Sequence, residues 1–165
     1  MKQLLNRNTL LILIILLGGF FRFYNLDWGH GLFTHPDEYH IAGSVNQLSF
    51  PAQMHPHFFS YGTVTIYLIY FTKDLIRYLF PILHLPSSIF HPFLIGRFYS
   101  ALFSTLTIFT VYNIGRTLLE RRFSLVATFL VAITPGLIQQ AHFATPESNL
   151  IFFLLCSLLF LLQIL

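Results

Sequence analysis

From Ser148 to Leu165 the chain reads SNLIFFLLCSLLFLLQIL, without one charged side chain. A helix crossing the hydrocarbon core of a bilayer needs about 20 mostly apolar residues, and this stretch is of that kind. Three others read the same way. One runs from about Asn8 to Leu26, with Lys2 and Arg7 before it. A second runs from about Arg97 to Leu118 and carries no charge between Phe98 and Gly115. A third opens near Phe123 and meets Pro135 and Gly136, which kink or end a helix. The final stretch opens near Pro146, a residue suited to a first helical turn. Soluble domains carry about 25% charged residues. Here 9% of 165 residues are charged and 55% are hydrophobic, which sets the class as an all-α, polytopic membrane protein of about four transmembrane helices. No small-residue cleavage site follows GGFF, so the first stretch reads as a retained signal anchor rather than a removed leader. The last span is still apolar at Leu165, and the expectation is a fragment of a longer protein. The single cysteine, Cys156, excludes an internal disulfide and reads as a small packing residue.

The stretch from Tyr61 to Phe80 is different. Its uncharged run stops at Lys73, with Asp74 and Arg77 close behind. Thr63, Tyr67, Tyr70, Asp74 and Arg77 recur at helical spacing and lay a polar stripe along one face, as expected of a helix lying in the membrane interface. Charge bias decides whether it crosses. Lys2 and Arg7 place the N-terminus inside, and Arg116, Arg121 and Arg122 mark a second inside turn. A full crossing by this stretch would put those three arginines outside. The expected order is therefore a span, a large outer loop over residues 27–96 with juxtamembrane helices, and three more spans. The formal charge of +3 is no nucleic-acid footprint, because the cations are scattered or flank spans.

That topology sorts the polar residues. Asp37, Glu38 and Glu147 fall on the outer side with all eight histidines, from His30 to His142, and Glu120 falls inside beside three arginines, where a salt bridge is enough. Asp37 and Glu38 follow Pro36 in THPDEYH. They are either first-turn acids complementing a helix macrodipole, worth about 0.3–1 kcal/mol, or functional groups held at a membrane face, where ionisable residues are costly. His35, Asp37 and His40 are competent ligands for a divalent ion, as is Glu38, although the spacing matches no established metal signature. Arg22 and Arg97 lie near outer span ends and either snorkel or clamp an anion bidentately. Glu147, in ATPES, is either another first-turn acid or a site residue. Tyr61 and Gly62 close MHPHFFSYGT, where Pro56 and Gly62 shape a turn into the interface helix.

Four pieces in order, FFRFYNLDWGHGLFTHPDEYHIA, MHPHFFSYGTVTIYL, GRFYSALFSTLTIFTVYNIGRTLLERR and ITPGLIQQAHFATPESNL, carry a resemblance. Together they resemble the polyprenol-phosphate-sugar-dependent glycosyltransferases of the GT-C fold, in particular bacterial relatives of the protein O-mannosyltransferases and of the lipid A aminoarabinose transferase. The resemblance covers most of residues 10–165. It implies a single transmembrane domain corresponding to the N-terminal half of a GT-C module, with two outer-loop helices lying along the membrane. By that resemblance Asp37 is the general base that deprotonates the acceptor. Glu38 completes the Asp-Glu pair in a positioning role, and His40 matches the histidine of the DExH run. Arg97, Arg22, Glu147 and Tyr61 become candidates for substrate binding. The family module has more spans than four, which leaves activity of the piece alone in doubt. The implied partners are a polyprenyl-phosphate-linked sugar and a lipid, glycan or protein acceptor, at the outer face of the plasma (inner) membrane. No cofactor is required by this reading, and a divalent metal stays open. The competing reading is non-enzymatic: an outer cluster of histidines and acids that binds or conducts a divalent cation.

Overall fold

A computed structural model describes residues 7–29, 35–58, 60–83 and 91–165. Lys2, His30 and His84 lie outside the described residues. The described chain is helical: α1 (Arg7–Phe23), α2 (Pro36–Gln47), α3 (Val64–Leu83), α4 (Pro92–Leu118), α5 (Arg121–Ile133), α6 (Pro135–Gln140) and α7 (Glu147–Ile164). Of these, α4 and α7 are long and apolar enough to cross a membrane, and α1 is a shorter apolar helix.

The centre of the fold is α4, which packs against each of the other six helices. Its buried positions explain how it can have so many neighbours. Gly96, Ser100, Ala101, Ser104, Thr107, Thr110 and Gly115 are small, and small residues let helix backbones approach closely where lipid offers no hydrophobic gain. At Gly115 a Cβ would stand 3.0 Å from that of Ser124, on the facing wall of α5. Its serines reach other segments, Ser100 donating to the Thr145 carbonyl and Ser104 to that of Leu137, while its threonines are satisfied locally. Thr107 and Thr110 donate to the carbonyls of Phe103 and Leu106, each one turn back.

α4 also starts earlier than its apolar run implies. Pro92 occupies its first turn, after an extended His91, because proline's missing N–H costs nothing there. Arg97 is thereby inside the helix and not at its end. The third expected span is divided. Thr134 is extended and Pro135 follows it, as the clash before a proline dictates. At about 1.5 Å per residue α5 rises roughly 20 Å, short of a bilayer core of about 30 Å. It continues only as the separate helix α6.

Two apolar cores result. One joins α1, α4 and α5 through Ile14, Ile108, Tyr112, Leu125 and Ala132. The other seats α2 on α3 and the start of α4 through Ile41, Val45, Leu48, Ile66, Ile69, Tyr70 and Ile95. The polar stripe expected along α3 is partly turned inward onto this second core. The Tyr67 hydroxyl donates to the Met54 carbonyl at 2.9 Å, and the Tyr70 hydroxyl accepts the Phe50 N–H at 2.8 Å. The stripe's two tyrosines thus hold the tight turn, paired through Ser49 and Gln53, that leads out of α2.

The two poles separated by the charge pattern are the two ends of this bundle. Asn8 meets Arg121 at one end. At the other, Arg97 meets Leu26 and Glu38, and Ser100 meets Thr145.

Candidate functional site

The end of the bundle holding the acidic pair is built from the first turns of α2, α4 and α7 and the approach to α3. α2 opens on Pro36, so Asp37 and Glu38 occupy its first turn, one residue and about 100° of rotation apart. Docking of Ile41, Ala42 and Val45 fixes the rotation of α2, and that rotation separates the two acids. Glu38 points into the protein and is 0% exposed; Asp37 stays half-buried at the rim.

Glu38 is fully engaged. Its Oε1 accepts from Arg97 Nε at 2.8 Å and from the Ala144 backbone N–H at 2.7 Å, and its Oε2 accepts from Arg97 Nη2 at 2.9 Å. Arg97 is 1% exposed. It also donates through Nη1 to the Leu26 carbonyl at 2.9 Å and lies 4.8 Å from the centre of the Trp28 ring. A bidentate arginine–carboxylate pair is the strongest geometry such groups adopt. Gly96 permits it, since a Cβ there would stand 2.5 Å from that of Ala144. The pair therefore ties α2, α4, the α1–α2 connection and the α6–α7 turn into one clasp.

Asp37 has different company. The Tyr61 phenol is its neighbour: hydrogen bonding toward the Asp37 carboxylate, then burial, then the charges of Asp37 and Glu147 push that phenol above its ordinary range. Asp37, Tyr61 and Glu147 thus share one neighbourhood. Glu147 opens α7, and its Oε2 is buried without a hydrogen-bond partner. Asn149, two residues on, donates to Thr65 Oγ1 at 2.9 Å, while its Oδ1 is also buried and unpartnered. Buried polar atoms are nearly always paired, so two unpartnered oxygens in the first turn of α7 stand out.

The remaining candidates fall elsewhere. His40 is exposed and stacks on Phe58, with ring centres 6.1 Å apart. His35 lies against Phe143, ring centres 4.4 Å apart, with its Nδ1 buried and unpartnered. Because Asp37 turns to Tyr61 while these rings turn to two different phenylalanines, His35, Asp37 and His40 do not converge. No group of three His, Cys, Asp or Glu side chains able to hold a metal occurs among the described residues.

Arg22 is 0% exposed and lies within the bundle. It donates to Ser104 Oγ at 2.7 Å and to the carbonyls of Gly18, Ala132 and Val131 at 2.9, 2.8 and 3.0 Å. Pro135 explains this. Its ring nitrogen cannot donate to Val131, four residues back, and Arg22 supplies the last turn of α5 instead.

Several participants carried no advance signal. Trp28 and Asn149 lie inside the quoted motifs, yet their contacts run to His142 and Thr65, far along the chain. The backbone N–H of Ala144 has no sequence signature at all.

A family model described as "Dolichyl-phosphate-mannose-protein mannosyltransferase" matches residues 12–165. No curated protein and no solved structure matches the chain.

Proposed function

Because the chain belongs to the dolichyl-phosphate-mannose-protein mannosyltransferase family, a family of membrane glycosyltransferases, we propose that it takes part in sugar transfer from a polyprenyl-phosphate donor to an acceptor, with Asp37 as general base. The acceptor, a hydroxyl or amine of a lipid, glycan or protein, attacks the anomeric carbon as the bond to the phosphate oxygen breaks. Its proton passes to the Asp37 carboxylate, and the polyprenyl phosphate leaves with inversion at carbon. A base poised beside the acceptor contributes typically 10²–10⁴-fold to such a step.

The observation that carries this reading is the division of labour within the acidic pair. Glu38 has both oxygens committed to Arg97 and Ala144, whereas Asp37 is half-buried beside Tyr61 and Glu147. Glu147, with its unpartnered Oε2, orients the incoming donor hydrogen of the acceptor or a sugar hydroxyl. Tyr61 holds the Asp37 carboxylate in place. Arg97 acts through Glu38 and Arg22 through the end of α5, so both are positioning residues. His40 lines the approach to the site. The catalytic face is the outer one, by the orientation of the arginine-rich turn at the opposite end.

The test is transfer from a radiolabelled polyprenyl-phosphate mannose by the full chain in membranes. Asp37→Asn, which keeps size and loses the base, is expected to lower transfer at least 100-fold with expression unchanged. Transfer at the parent rate by that variant overturns the assignment.

A further inference from the structure

At the end of the bundle away from Asp37, the turn between α4 and α5 forms a cleft of about 540 Å³ lined by Arg116, Glu120, Arg121 and Arg122. A water's share of liquid volume is about 30 Å³, so the cleft holds a group many times larger. Three guanidinium groups face one carboxylate there. Glu120 is paired with Arg122, whose Nε lies 3.0 Å from its carboxylate in an exposed ion pair, and Arg122 also lies over the Phe123 ring. Arg121 is arranged differently. One arm of its guanidinium donates to Asn8 on α1, while its Nε is buried and has no partner. A buried charged donor without an acceptor is costly to keep, and an arginine fork matches phosphate geometry. The neighbours of these arginines in the chain, Leu118, Leu119 and Phe123, are about half exposed or more. Arginines that merely snorkel to water have no need of a cleft, a buried idle donor or an apolar rim.

We propose that this cleft binds the phosphate of an anionic phospholipid. The guanidinium of Arg121 is the anchoring cation and that of Arg116 the second, and the acyl chains run past Leu118, Leu119 and Phe123. The excess of cations over Glu120 selects an anionic headgroup over a zwitterionic one, as basic pockets between membrane helices do. The apolar rim selects a lipid over a free phosphate ion. The site is independent of the sugar-transfer reading, because it shares no residue with the Asp37 end.

The test is native mass spectrometry of the full chain released from detergent, titrated with dioleoylphosphatidylglycerol, dioleoylphosphatidylcholine or inorganic phosphate. Phosphatidylglycerol adducts are expected to persist at least five-fold more than phosphatidylcholine adducts. Arg121→Gln is expected to remove that preference, and Glu120→Gln to keep or raise it. If Arg121→Gln fails to fold, the double substitution Arg116→Gln and Arg122→Gln, at two exposed positions, carries the same expectation with a partial loss of about two-fold or more. Equal retention of the two lipids overturns the proposal, as does an unchanged preference in the variant that folds. Displacement of phosphatidylglycerol by millimolar inorganic phosphate overturns the lipid assignment in favour of a free-anion site.

Discussion

Among the described residues two arginines are buried almost completely, and they solve the problem of an interior charge in opposite ways. Arg97 faces a carboxylate and makes a closed, bidentate pair with Glu38. Arg22 pairs with no carboxylate among the described residues and is dissolved in backbone oxygens, those of Gly18, Val131 and Ala132, with Ser104 beside them. In the first region the charge is neutralised. In the second it serves as a cap for a helix that Pro135 has cut short. The contrast teaches that a buried arginine near a membrane face is not by itself an anion site. What its partners lack without it decides its role.

Removing each partner separates the two cases. The largest loss is expected for Arg97→Ala, which strands the Glu38 carboxylate in the interior. Breaking a buried pair on one side costs about 3–5 kcal/mol, to be read as a lowered midpoint in thermal unfolding of detergent-solubilised protein. Arg22→Leu removes a donor from the Ala132 and Val131 carbonyls, the second of which keeps the Thr134 N–H at 3.4 Å, and strands no charge, so about 1–3 kcal/mol is expected in the same assay. If Arg22→Leu is the more damaging of the two, the comparison is broken.

Double-mutant cycles sharpen the point further. Glu38→Ala combined with Arg97→Ala is expected to be less damaging than the sum of the two, with a coupling of about 0.5–3 kcal/mol, while Glu38→Ala and Arg22→Leu should add within about 0.5 kcal/mol. The smallest effect concerns Pro135. Pro135→Ala restores an N–H for Val131 and should shrink the cost of Arg22→Leu by about 1 kcal/mol. An undiminished cost would show that Arg22 is not acting as the cap of α5.

Much of this was legible in the sequence. The apolar helices α4 and α7, the break at Pro135, the helix opening on Pro36 and the pairing of Glu120 with an arginine all follow from local rules: hydropathy, proline geometry and charge proximity. The separation of Asp37 from Glu38 does not. Adjacent acids on a first turn look equivalent until the helix is docked, and the docking of α2 depends on Ile66, Ile69 and Ile95 in other elements. The fates of Arg22 and Arg97 were hidden for the same reason, since their decisive partners lie far along the chain. The stripe on α3 was read correctly as a helix face, but the turn that covers Tyr67 and Tyr70 has no periodicity to announce it.

The bond from the Ala144 N–H to Glu38 also sets an order of events during synthesis. The two residues are 106 positions apart, and Arg97 is 59 positions from Glu38. At about 5–20 residues per second, Ala144 is added some 5–20 s after Glu38. During that interval the segment that opens α2 has its acid but not the groups that hold it, and Arg97 arrives only part-way through. The rim around Asp37 therefore comes together late, after the α6–α7 turn is made. Up to that moment a nascent chain exposes a carboxylate and a half-covered apolar face to whatever stands at the membrane surface.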